Sequence, residues 1–278
     1  MDRGSPDRTH VFVFDDVVVK INQQDGSNRI ARERNALMLL RGASSLRVPE
    51  HIADGTSAQG REWLVMTRLA GDVPTDADDP PERVSNTLGF ELGTVTAELH
   101  NGPRPPGFGT WTEADHTLQE EFRARVESLH GLGVGYEIVE RAELDRVAAL
   151  LISQIGALEQ APREPVLAHR DVQPRNVLVD GFGRVTALLD FESSGGGDPA
   201  EDFKCVGLDW HRPGFGAFVR GYRDGGGLID DGFAQRVAVY VGHWALAALA
   251  YLGGFLPHFI PVARQAVARL ERGELPQL

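Results

Sequence analysis

His169-Arg170-Asp171-Val172-Gln173-Pro174-Arg175-Asn176 runs directly into Val177-Leu178-Val179, a Gly181-Phe182-Gly183 turn, and an apolar run from Val185 that ends in Leu188-Leu189-Asp190-Phe191-Glu192. Short apolar runs separated by a glycine-rich turn read as a pair of buried strands. If the two runs pair as a hairpin, Asp171, Asn176 and Asp190 converge at one end of it. A loop in which Asp171 and Asn176 only cap turns would not explain why a carboxylate closes the second apolar run at Asp190.

Two carboxylates and a carboxamide in that arrangement suit one chemistry well. Phosphoryl transfer asks little covalent help of a protein, but it needs an aligned acceptor hydroxyl and a neutralised triphosphate. The spacing H-R-D-x-x-x-x-N from His169 to Asn176, with Asp190 after a second strand, matches a kinase catalytic loop followed by its metal-binding aspartate.

The two segments His169 to Asp180 and Leu188 to Phe203, which includes Gly197-Asp198-Pro199 and Asp202, resemble the core of aminoglycoside phosphotransferases and related small-molecule kinases. Glu192 stands where protein kinases carry glycine, and no A-P-E element follows, both of which favour a small-molecule kinase. The resemblance implies an α+β, bilobal protein-kinase-like fold: a small N-terminal antiparallel sheet plus helix, and a larger, mainly helical C-terminal lobe. It implies Asp171 as catalytic base or hydroxyl orienter, and Asn176 and Asp190 as Mg2+ ligands with ATP or GTP as donor. Asp202 serves in the family either as structural support or toward substrate, and it is placed here among the substrate-facing carboxylates. Arginine at position 170 departs from the Gly or Asn that many antibiotic kinases carry there.

Upstream, Thr9 to Phe14 and Val17 to Ile21 flank Asp15-Asp16 as a β-hairpin. Asp25 to Asn28 break that pattern, a helix follows over Ile30 to Leu40, and 48–53 and 61–69 form a further strand pair. Val17-Val18-Val19-Lys20 resembles the strand whose lysine grips the α- and β-phosphates, and Glu33 stands where the family places its partner. Trp63 to Gly71 resembles the strand entering the interlobe hinge, with the backbone around Thr67 and Leu69 reading the purine. About eight residues precede the first strand, so no complete glycine-rich phosphate flap is expected, and Gly4-Ser5 is read as its remnant. The two lobes are expected at 1–70, with a truncated first strand, and 71–278. In the second, Pro80-Pro81 opens a helix reaching His100, Gly107 to Trp111 form a loop, and helices follow at 113–130, 136–160 and after Gly195-Gly196-Gly197 to about 272.

With 278 residues, 42% of them hydrophobic, the chain can bury a large core. No apolar run is expected to cross a bilayer, which takes about 20 residues, and the start lacks a secretory pattern, so a cytoplasmic enzyme is expected. A net charge of −12 opposes nucleic acid and anionic membrane and favours a cationic ligand. Glu192, Asp202, Asp209, Asp230, Asp231, Glu271 and Glu274 are candidates for an acidic floor under such a substrate. Trp210 and Trp244 serve as stacking or core residues, Cys205 as a small apolar residue in a packed helix, and Lys20 and Lys204 are the only lysines. Nine histidines show no metal-binding spacing, and His169 is expected to hold the catalytic loop. The expected activity is antibiotic O-phosphorylation by a monomer, on an aminoglycoside or a tuberactinomycin peptide such as capreomycin or viomycin. Alternatives are a choline-, homoserine- or fructosamine-kinase-like metabolic enzyme and a pseudokinase that sequesters its ligand.

Overall fold

The computed structural model describes residues 9–22, 28–42, 46–74, 83–109, 111 and 116–278. Gly4-Ser5, Asp25 to Ser27, Pro80-Pro81, Thr110 and residues 113–115 lie outside the described residues. The β-branched runs at the start form strands β1 (His10–Val13) and β2 (Val17–Ile21), paired antiparallel across the Asp15-Asp16 turn. β2 then pairs with β4 (Glu62–Thr67), and β4 with β3 (His51–Thr56), giving the antiparallel order β1-β2-β4-β3. The expected strand at 48–53 begins later because Pro49 has no N–H to give a ladder.

Helix α1 (Arg29–Leu40) buries Ile30, Glu33, Ala36, Leu37 and Leu40 on one stripe. A carboxylate in that apolar stripe is out of place for packing alone. α1 lies over the short turn Phe191–Ser193, next to Asp190.

The chain then enters the helical lobe. Asp72 exchanges backbone hydrogen bonds with Val179, and α2 (Asn86–Asn101) starts at Ser85, whose hydroxyl accepts the Leu88 amide. α3 (Leu118–Tyr136) opens on a Thr117–Glu120 capping box, and α4 (Arg141–Ser153) follows. β5 is Val166–Ala168; β6 (Val177–Val179) and β7 (Val185–Leu188) form the hairpin read from the motif.

Gly195-Gly196-Gly197, expected to precede helix directly, is instead strand β8, antiparallel to β5 with Leu167 opposite Gly196. Only glycine fits there, because a Cβ on Gly196 would lie 1.8 Å from the Gly107 carbonyl oxygen. Two 3₁₀ turns, Pro199–Phe203 and Val206–Asp209, separate β8 from α5 (Pro213–Asp224). α5 and α2 pack backbone to backbone, since a Cβ on Gly93 would stand 2.0 Å from the Phe218 carbonyl oxygen.

α6 (Phe233–Ala247) continues through the π-helical turn Ala248–Leu252 into α7 (Gly253–Phe255), and α8 (Phe259–Glu271) packs against it. The helix Phe233–Phe255 does reach the length and apolarity of a membrane span, contrary to the reading of the sequence. Its most apolar 18-residue stretch is 78% buried inside the protein, where it forms the axis of the helical lobe's core.

Candidate active site

The β6–β7 ladder sets Val177 opposite Leu188, and the Leu189 amide donates to the Asn176 carbonyl at 2.8 Å. Those bonds hold Asn176 and Asp190 side by side. Asp190 takes a left-handed backbone, φ 65°, a conformation in which a residue with a side chain persists only when its surroundings hold it.

Asp171 is fixed from two sides. Asn176 Nδ2 donates to its Oδ2 at 2.9 Å and to its carbonyl at 2.8 Å, and Gln173 Nε2 donates to its Oδ1. These bonds commit the Asn176 amide nitrogen and leave the amide oxygen as the group's other face. Behind Asp171 lies Cys205, whose buried thiol is 3.9 Å from Oδ1 and whose pKa is pushed up by burial and by the Asp171 charge. Cys205 sits between the two 3₁₀ turns rather than in a packed helix.

Across the cleft, Lys20 is 7% exposed and pairs with both Glu33 Oε2 at 2.7 Å and Asp190 Oδ1 at 2.6 Å. Burial alone would lower the lysine's pKa, but Glu33, Asp190 and Glu192 outweigh it and raise it. Burial pushes Glu33 up to about 7, with Lys20 opposing. Asp190 is drawn below the usual carboxylate range: burial would raise it, and Lys20 more than offsets that. One ammonium thus links the helix, the sheet and the aspartate that follows β7.

Glu192 is half-buried at the same cleft, accepts from Thr9 Oγ1 at 3.1 Å, and has its pKa raised by burial and by Asp190. Most of the remaining carboxylates expected to face a cation are already paired: Asp230 meets Arg236 at 2.7 Å and Glu274 meets Arg272 at 2.6 Å. Asp202 is 1% exposed: its carboxylate accepts the His169 amide at 2.8 Å, the Arg170 amide, and His100 Nε2 at 2.9 Å. It braces the catalytic loop from inside, and the substrate-facing reading is corrected. Asp209 pairs with Arg269 at 2.8 Å and Arg212 at 3.2 Å, and Glu271 pairs with Arg146 of α4. Arginines therefore pair with Asp209, Asp230, Glu271 and Glu274.

At the hinge, the Thr67 amide and hydroxyl both bond the Glu50 backbone, and the Arg68 amide bonds the Asp16 carbonyl. Leu69 takes no backbone partner among the described residues, so its amide and not that of Thr67 is available to a base. His169 holds the loop as expected, its Nε2 2.9 Å from the Leu189 carbonyl. Trp210 is buried with Arg269 over its ring at 5.3 Å and is a core residue, while half-buried Trp244 packs edge-on to Phe259 at 5.1 Å against that core.

Tyr251 was not legible as a site residue, because it interrupts the apolar run Ala245 to Phe255, which reads as core. It lies on the π-helical turn, a distortion that recurs at functional sites. Its hydroxyl makes no hydrogen bond to a described residue. Burial raises its pKa; Arg29 opposes, and the charges of Asp171 and Glu192 add to the rise.

A loop carrying Asp171, an aspartate at the end of the β6–β7 hairpin and a lysine–glutamate pair beside it form the arrangement of a kinase-like phosphotransferase. The family model described as phosphotransferase enzyme family matches residues 7–237, most of the chain, and the protein belongs to that family. Viomycin phosphotransferase of Streptomyces vinaceus is 27% identical over 247 residues, covering 84% of this chain and 80% of that protein. The fold matches a thermostable mutant of aminoglycoside phosphotransferase APH(4)-Ia in ternary complex with ADP and hygromycin B, TM-score 0.65 at 19% identity over 98% of this chain and 91% of that one. It also matches macrolide 2'-phosphotransferase MphH from Brachybacterium faecium, TM-score 0.57 at 21% identity, covering 95% and 90% of the two chains.

Proposed function

We propose that this phosphotransferase moves the γ-phosphate of ATP or GTP onto a hydroxyl of a cationic antibiotic, with a basic peptide of the viomycin and capreomycin kind ahead of an aminoglycoside. The observation that carries the reading is the convergence of Asp171, Asn176, Asp190 and the Lys20–Glu33 pair on one cleft. The likeness to viomycin phosphotransferase and the net charge of −12 support the choice of acceptor. A protein that only sequesters its ligand would have no use for a buried lysine held by two carboxylates, an arrangement whose desolvation cost needs a return.

In this mechanism Asp171 accepts a hydrogen bond from the acceptor hydroxyl and takes its proton as the phosphoryl group transfers in line. Gln173 and Asn176 keep the carboxylate from rotating away. Lys20 braces the phosphates as a point charge on a rigid strand, and the Leu69 amide meets the purine edge. The amide oxygen of Asn176 and the Asp190 oxygen not bonded to Lys20 are hard donors that fit Mg2+, which takes few protein ligands and completes its shell with phosphate and water. Mg2+ would neutralise triphosphate charge at that point. Glu192 and the Tyr251 hydroxyl meet an ammonium or hydroxyl of the acceptor. The enzyme is placed in the cytoplasm, as a monomer, where the donor is available.

The test is nucleoside-diphosphate release with MgATP and MgGTP against viomycin, capreomycin and a panel of aminoglycosides, with mass spectrometry of the product. A mass gain of one phosphate on a basic antibiotic supports the assignment. Nucleotide binding with no product on any of them would refute the acceptor class.

A further inference from the structure

Arg170 is a position of the catalytic loop that the chemistry above leaves unused, and its backbone is constrained. Its φ is 67°, the left-handed region, at a side-chain-bearing residue. Such a conformation persists only where neighbouring groups over-determine it. The guanidinium is almost fully buried: Nη2 donates to the Gly196 carbonyl at 3.0 Å and lies 3.1 Å from Glu121 Oε1. Nε lies 3.2 Å from Glu201 Oε2, off the line of a hydrogen bond.

Those carboxylates belong to a larger buried set. Glu201 has no exposure and also meets Arg125 Nη2 at 2.6 Å and Lys204 Nζ at 3.2 Å. Glu121 meets Arg125 Nη1 at 3.4 Å. Three cations and two carboxylates thus join α3, through Glu121 and Arg125, to the turn after β8, through Glu201 and Lys204, with Arg170 between them. Burial would raise Glu201, but Arg125, Arg170 and Lys204 keep it ionised, well below the usual range. The glycines of β8 make the space: a Cβ on Gly195 would stand 3.2 Å from Arg170 Nη1.

We propose that Arg170 is a positioning residue for phosphoryl transfer: the Glu121–Arg170–Glu201 grip fixes the loop backbone one residue before Asp171 and so holds the Asp171 carboxylate in line with the acceptor hydroxyl. This rests on Asp171 being the base. Asp202 holds the two amides at 169 and 170; the guanidinium grip is the second anchor, and the two together leave the Asp171 peptide no freedom to turn. A base free to wander by a fraction of an ångström to 1 Å lowers turnover by about 10- to 100-fold without changing how substrates bind.

Arg170→Gly isolates the grip, because glycine adopts the left-handed backbone freely and keeps the amide that bonds Asp202. The experiment compares wild type, Arg170→Gly, Glu121→Gln and the double variant. Each is assayed with MgATP and the panel acceptor on which wild type turns over, viomycin first, at a temperature where circular dichroism shows every variant folded. The expected result is a kcat lowered about 10- to 100-fold in Arg170→Gly, with both KM values within about 2-fold of wild type. Glu121→Gln should lower kcat several-fold in the wild-type background and not at all in the Arg170→Gly background. A merely structural role would reduce the folded fraction and leave kcat per folded molecule and this non-additivity unmoved. Wild-type kcat in folded Arg170→Gly, or an equal effect of Glu121→Gln in both backgrounds, overturns the proposal. If Arg170→Gly does not fold, Glu121→Gln alone decides, by a reduced or an unchanged kcat at constant KM. Failure of the Asp171 assignment is a separate result, activity in Asp171→Ala.

Discussion

Replacing Asp202 by alanine removes three hydrogen-bond acceptances from the interior: two from the consecutive amides of His169 and Arg170, and one from His100 Nε2. The site is 1% exposed, so no water takes the carboxylate's place without a cavity to hold it. Removing one partner from a buried, hydrogen-bonded charge typically costs 3–5 kcal/mol, and about 4 kcal/mol is expected here. For a protein of this length that lowers Tm by on the order of 10 °C. Asp202→Asn is informative because it keeps the shape. With the amide oxygen toward His169 and His100, the NH2 faces the Arg170 amide, donor against donor, and about 2 kcal/mol is lost. Thermal unfolding paired with steady-state kinetics separates the roles. The expected outcome is a lower Tm in both variants, Ala below Asn, with reduced kcat and an acceptor KM near wild type. An unchanged Tm with a raised acceptor KM would refute the brace and restore Asp202 to the substrate face.

Gly93→Ala should lower stability by about 2–3 kcal/mol in urea unfolding, since its methyl would meet the Phe218 carbonyl oxygen at 2.0 Å; unchanged stability would mean α2 and α5 can part. Glu33, raised to about 7, is neutral below that pH and charged above it. Its hold on Lys20 is therefore expected to weaken as pH falls from 8 to 6, so the nucleotide KM should rise over that window in wild type and stay flat and high in Glu33→Gln. Tyr251→Phe should raise the acceptor KM about 5- to 10-fold, the equivalent of one hydrogen bond, and leave the nucleotide KM alone. An unaltered acceptor KM would remove Tyr251 from the site.

What the residues disclosed on their own follows from range. The Asp171 to Asn176 spacing and the β6–β7 hairpin are local, so a linear reading recovers them, as it does the Lys20 strand and the Glu33 helix. The three-residue strand β8 shows no alternation to read, and its need for glycine comes from the Gly107 carbonyl, nearly ninety positions away. Asp202 was placed toward substrate on the family resemblance, which allows either that role or support, whereas His100 and the catalytic-loop amides enclose it. Arg170 could not be assigned without Glu121 and Glu201, which only the tertiary fold brings to it. Tyr251 was hidden by its apolar neighbours, and the pairing of Asp209 with Arg269 and of Glu271 with Arg146 by the sequence distance between the partners.

The most direct test of the catalytic assignment is to measure nucleotide binding by calorimetry, with and without Mg2+, alongside turnover, in Asp171→Ala and Asp190→Ala. Asp171→Ala is expected to bind MgATP or MgGTP near wild-type affinity while kcat falls by about 100-fold or more. Asp190→Ala should lose the Mg2+ dependence of binding itself. Substantial turnover in Asp171→Ala, or Mg2+-dependent binding that survives in Asp190→Ala, would contradict the roles given to the two aspartates.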